Sequence, residues 1–145
     1  MKRNILNKKL LKIFAKNGLN KNHAKICSDA LINAELVGAY GHGLSRLKMY
    51  CDRINKKLIN PKPKIKIKKI SHSISHIDAD NSMGFVSADL AIKIAIKHAQ
   101  KTGIGMVAVK KSGHYGLSGY YAEQAVKKNL ITMIYTNAPP AVAPH

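Results

Sequence analysis

The chain has 145 residues, a length that suits one ordinary domain, and 46% of them are hydrophobic, enough to build a buried core. Its net charge of +18 comes from 25 Lys+Arg against 7 Asp+Glu, with 18 of the bases in the first 70 residues. A nucleic-acid surface should also offer bidentate and stacking groups, yet there are three arginines, no tryptophan and two phenylalanines, so the lysines read as a solvated surface and no nucleic-acid partner is expected.

The first ten residues are basic but interrupt their apolar run with lysines, so they lack a signal-peptide core and read as a surface helix. Ile5, Leu6, Leu10, Ile13 and Phe14 recur at helical spacing, with Gly18 as the stop. A second helix is predicted from about Asn22 to Tyr40, with an apolar stripe of Ala24, Cys27, Ala30, Leu31, Ala34 and Val37. Gly41-His42-Gly43 breaks it. A third helix starts near Ser45 and turns Leu47, Tyr50, Ile54 and Leu58 inward. Cys27 and Cys51 make neither a disulfide framework nor a metal spacing, which suits a reducing, cytoplasmic setting.

Pro61 and Pro63 mark a hinge, so a helical domain over residues 1–62 is expected to give way to an α/β domain over 63–145. Lys64 to Lys68 alternates strictly, predicting a strand with one apolar face and lysines guarding an edge. A second strand is expected near Ser75–Asp78. Ala88, Ala91, Ile92, Ala95, Ile96 and Ala99 line a helix that ends before Gly103. Met106–Val109 reads as a buried strand, Lys110–Ser118 as a loop, and Gly119–Lys128 as a helix with Asn129 as its C-cap. Ile131–Thr136 reads as a further strand, and Ala138–His145 as a loop leaving it, so an incomplete α/β layer is expected. No stretch approaches the ~20 apolar residues of a membrane helix, and no membrane partner is expected.

Lys111-Ser112-Gly113-His114-Tyr115-Gly116 lies at the C-terminal end of a predicted strand, the rim where ligands of open α/β sheets bind. Two glycines leave His114 approachable, and the helix start near Ser118 offers free amides to an anion. The same glycines could equally do no more than turn the chain. His42 sits in the other glycine-flanked break with Arg46 one helical turn on, a pair able to hold and protonate a carboxylate-bearing substrate. Ordinary surface contacts explain that pair more simply. Gly103-Ile104-Gly105 precedes its strand and lacks a third glycine, so it is no dinucleotide fingerprint. His72 and His76 lack an aligning helix and an acidic companion, and no metal is expected. Asp78 and Asp80 lack a phosphate or nucleophile context, Ser112 and Ser118 lack a nucleophile elbow, and His23 and His98 read as solvated.

Taken together, these stretches resemble the type 2 malate/L-lactate dehydrogenase family, which includes ureidoglycolate, sulfolactate and diketogulonate dehydrogenases or reductases. The resemblance runs through Gly41–Leu47, Asp78–Gly84, Ser112–Glu123 and Thr136–Pro144, with matching order and spacing along nearly the whole chain. It implies the N-terminal part of proteins more than twice this long: a helical segment, then part of a non-Rossmann, two-layer α/β (α+β) nicotinamide-binding domain. It implies hydride transfer between NAD or NADP and a small 2-hydroxy or 2-keto acid, in a homodimer. His114 would take the acid-base position. His42 would share both catalysis and substrate binding, alongside Arg46. Ala138 and Ser118 would touch the cofactor; where some relatives carry a hydroxyl, Ala138 offers only its backbone. The alternative is an inactive or repurposed chain acting as a basic binding module. Alone, the 145 residues are expected neither to bind cofactor tightly nor to catalyse hydride transfer.

Overall fold

The structure is a computed structural model that describes residues 3–137. Helices α1 (Arg3–Lys16) and α2 (Lys21–Leu36) lead into two 3₁₀ turns, Tyr40–His42 and Leu44–Arg46, and then α3 (Leu47–Asn55). Strands β1 (Lys66–Lys69) and β2 (Ile74–Ser82), helix α4 (Gly84–Thr102), strand β3 (Met106–Ser112) and helix α5 (Ser118–Val126) complete the order. The expected class holds: a helical segment followed by an α/β unit. No helix among the described residues is long and apolar enough to cross a membrane.

The Asn20 side chain caps α2 by accepting the His23 amide at 2.8 Å, satisfying one of the amides that a helix start leaves free. The predicted stripe is buried at Ala24, Cys27, Ala30, Leu31 and Ala34. Val37 is not part of it, being 53% exposed. The helix ends earlier than expected because Gly38, not Gly41, takes a left-handed φ of +77°, and the Ala39 amide turns back to the Ala34 carbonyl. Leu58 also fails to turn inward. Helix α3 stops at Asn55, and Lys57 at φ +59° carries Leu58 out to solvent. Ser45 does not cap α3; its hydroxyl donates to the Tyr40 carbonyl at 2.6 Å.

β1 pairs antiparallel with β2, and β2 pairs parallel with β3, with α4 making the crossover. Ser75, Ile77 and Ala79 are buried on one face of β2, as the two-residue period of a strand requires. His98, on α4, meets the Ser75 hydroxyl at 2.9 Å and is half-buried, so it is not the solvated residue expected. His23 is half-buried too, and burial lowers its pKa. β1 begins two residues later than predicted and is exposed throughout, Ile67 included, so its apolar face finds no cover.

β3 is not the buried strand the sequence suggested: Met106 is 57% and Val109 37% exposed. Among the described residues it is an edge, paired only with β2. The strand expected at Ile131–Thr136 does not form among the described residues. Leu130 and Ile134 lean on Ile92, Tyr121 and Ala125, while Ile131, Met133 and Tyr135 face solvent. Asn129 takes a left-handed φ of +58°, but the C-cap position of α5 is Lys127.

One buried cluster joins Leu10, Phe14, Cys27, Leu31, Tyr50 and Ile54 to Met83, Phe85 and Val86 at the start of α4. The core therefore crosses the boundary expected at residues 62–63. Asp80 secures the crossing, since its carboxylate accepts the Asn60 side-chain amide and the Lys64 backbone amide, each at 2.9 Å. Asp80 and Asn81 both have left-handed φ, where the β2–β3 register is irregular. The acids of this stretch tie the chain together.

Candidate active site

Two chain segments that are remote in sequence meet at one rim: the stretch from the 3₁₀ turns into α3, and the loop after β3. The 3₁₀ turns bring His42 and Arg46, α3 brings Tyr50, and the loop after β3 brings His114. The His42 and His114 rings stack nearly parallel, at 15° and a centroid separation of 5.8 Å. The Tyr50 hydroxyl lies 2.7 Å from His114 Nδ1.

Each position has a local cause. Glu35, on α2, accepts the Leu44 amide at 2.7 Å and so anchors the turn that carries His42. Gly43 packs against that carboxylate, which any Cβ there would overlap. Arg46 donates from Nε to the Gly41 carbonyl at 2.8 Å, closing the turn on itself. That bond leaves the two terminal amino groups of the guanidinium for a ligand. Gly84 lets the start of α4 approach the backbone of Gly113 and His114 more closely than any side chain would permit. Ser112 is fixed from the same side by the Ser87 hydroxyl, 2.7 Å away.

His114 is exposed as a residue, but its Nδ1 edge is turned into the protein. Burial of that edge lowers its pKa below the usual histidine value, and electrostatic repulsion from His42, Arg46 and Arg53 lowers it further. At neutral pH the ring is therefore mostly uncharged. The unfolded chain, with an ordinary pKa near ~6.5, takes up this proton first as pH falls. His114 thus favours the folded state above that value, and the contribution is lost as pH drops through the window between the two pKa values. An NMR titration should place the His114 midpoint below that of a free histidine. A midpoint at or above it would mean these basic groups do not face the ring. An anion bound among them should raise the midpoint.

The structure thus brings together His42, Arg46 and His114, the three residues expected to handle substrate. Ser118 opens α5, with its hydroxyl 3.1 Å from that of Tyr115. Ala138 lies outside the described residues. Two contributors were missed. Tyr50 read as core, although it sits four residues beyond Arg46 and so one turn along the same face. Glu35 gave a compositional signal, as the one acid between Asp29 and Asp52 in a chain poor in them.

Two imidazoles beside a guanidinium, on the rim of an α/β unit, are groups chemically able to exchange protons and to bind a carboxylate. The profile of the malate/L-lactate dehydrogenase family matches residues 1–145. Malate dehydrogenase of Pyrococcus abyssi is 44% identical over 135 residues, covering 93% of this chain and 37% of the relative. L-sulfolactate dehydrogenase of Methanocaldococcus jannaschii is 38% identical over 137 residues, 94% of this chain and 40% of the relative. The solved structure of Pyrococcus horikoshii malate dehydrogenase superposes with a TM-score of 0.84 at 38% identity, over 87% of this chain and 36% of that one. The chain belongs to the malate/L-lactate dehydrogenase family, a family of oxidoreductases. It spans about two fifths or less of the length of these relatives.

Proposed function

We propose that this chain supplies the substrate half of a nicotinamide-dependent dehydrogenase acting on a small 2-hydroxy or 2-keto acid of the malate, sulfolactate or lactate kind. The observation that carries this reading is the stacked His42–His114 pair with Arg46 on the same turn. In this reading Arg46 grips the substrate carboxylate with its terminal amino groups. His42 holds the neighbouring oxygen and shares in its protonation, and His114 exchanges the proton with the oxygen on C2 as that carbon is reduced or oxidised.

A nicotinamide cofactor would supply or accept the hydride; related enzymes are named for NAD(+), as in Escherichia coli ureidoglycolate dehydrogenase, or for NADP(+), as in sulfolactate dehydrogenase of Chromohalobacter salexigens. The described residues fit such a group at the start of α5. No side chain caps that helix, so the amides of Ser118 and Gly119 are open to an anionic part of the cofactor. Ala138 is proposed as a further contact, and a homodimer in the cytoplasm as the working form. A helical domain over 1–62 and an α/β domain over 63–145 remain the proposed division.

Arg46→Lys tests the grip. Lysine keeps the charge but loses the planar two-point geometry, so the KM for a 2-keto acid should rise roughly tenfold, the worth of one charge-assisted hydrogen bond. A dicarbonyl substrate without the carboxylate should be indifferent to the change. Equal losses for both would leave Arg46 a structural residue.

A further inference from the structure

We propose that Tyr50 is a positioning residue whose hydroxyl follows the protonation state of His114, donating to Nδ1 of the resting neutral ring and accepting from Nδ1–H once the ring is protonated, so that the imidazolium delivers its Nε2 proton to substrate. The proposal rests on the reading of His114 as the acid-base group, but it is tested without turnover.

The Tyr50 ring is 1% exposed and meets Phe85 edge-on, with centroids 5.0 Å apart. A phenol buried this deeply keeps its hydroxyl bonded. Among the described residues its one partner is His114 Nδ1, at 2.7 Å. Nδ1 also faces the Gly116 amide, at 3.3 Å. A backbone amide can only donate, so Nδ1 of the neutral ring holds a lone pair and the ring proton sits on Nε2.

Gly116 is held in this role. It has a left-handed φ of +78°, and a Cβ would stand 2.6 Å from Phe85 Cε1, in the ring that packs against Tyr50. Phe85, Gly116 and Tyr50 therefore enclose one edge of the imidazole, and the Nε2 edge is left for the ligand.

The two donors differ when the ring gains a proton. Nδ1 then carries hydrogen, and the Gly116 amide cannot accept it. The Tyr50 hydroxyl can, by rotating about its C–O bond. It is the acceptor that lets His114 carry a charge among the basic groups that also face it, His42 and Arg46 from the 3₁₀ turns and Arg53 from α3. Proton delivery by the imidazolium then breaks the Nε2–H bond and forms an O–H bond on the substrate, leaving a neutral ring whose one proton is on Nδ1 and held by Tyr50. A solvent proton taken up at Nε2 restores the imidazolium, and loss of its Nδ1 proton returns the resting tautomer. The hydroxyl itself stays protonated, since burial pushes the phenol well above its ordinary pKa.

Tyr50→Phe keeps the ring and removes only this partner. The neutral imidazole retains the Gly116 donor, whereas the imidazolium loses its acceptor. The His114 midpoint, followed by NMR in the full chain, should fall by at least about one pH unit, a tenfold change in proton affinity. A purely structural tyrosine would leave it in place, and an unchanged or raised midpoint overturns the proposal. A second measurement needs no variant. Long-range nitrogen–proton spectra of the wild-type chain, above the midpoint, should show Nε2 protonated and Nδ1 bare. The opposite tautomer also overturns the proposal. Whether an oxamate-like anion binds at all bears on the proposed function, not on this inference.

Discussion

In an assembly that turns over a 2-keto acid, His114→Ala should lower kcat by roughly 10²–10⁴, the usual worth of a positioned general acid. Cofactor affinity should hold within about threefold, because the lost group acts on the transferring proton rather than on the dinucleotide. The effect should be larger than that of Arg46→Lys and should fall on kcat rather than on KM. Stopped-flow turnover paired with cofactor fluorescence separates the two quantities. Turnover within a few-fold of wild type would remove His114 from the chemistry and leave it a loop residue between two glycines.

Gly84→Ala should be the most destabilising single methyl in this part of the molecule, by about 3 kcal/mol, at the upper end of what overpacking costs. The added carbon would overlap the carbonyl oxygens of Gly113 and His114, which are backbone and cannot rotate away. Either α4 must withdraw from the loop or the loop must lift, and in both cases His114 leaves Tyr50. Gly113→Ala is the matched control. Its nearest atoms would be the Ser82 carbonyl at 3.7 Å and the Gly84 amide at 3.9 Å, ordinary contact distances, so it should cost less than about 1 kcal/mol. Urea midpoints of the two variants decide the point. Similar losses would mean that the close approach of α4 does not hold the site.

The helices were legible because their periodicity reports burial directly. Cys27, Leu31, Tyr50 and Ile54 pack where their spacing put them. Their ends were less so, since Gly38 and Gly41 look alike in sequence and only the first takes the left-handed turn. Strand burial was the weakest reading. An apolar run such as Met106–Val109 does not state how many neighbours it will have, and among the described residues β3 has one. The apolar stretch at Ile131–Thr136 likewise names no partner strand.

The candidate site divides in the same way. Glycines around His42 and His114 marked both residues, although Gly43 and Gly116 give clearance to Glu35 and Phe85 rather than to solvent. Their meeting could not be read, since it depends on α3 lying against the start of α4 through Tyr50 and Phe85. Nor could the partner of His114 Nδ1, a hydroxyl 64 residues away in sequence.

Titration of isotope-labelled full chain with oxamate, a non-reacting stand-in for a 2-keto acid, with and without reduced cofactor, tests the central claim most directly. The claim is that His42, Arg46 and His114 form one carboxylate-binding acid–base site. Saturable shifts should appear at both imidazoles and at the Arg46 guanidinium, the His114 midpoint should rise as the anion offsets its cationic neighbours, and Arg46→Gln should abolish all three responses. Shifts scattered over the lysine-rich surface, with no response at His42 and His114, would contradict it.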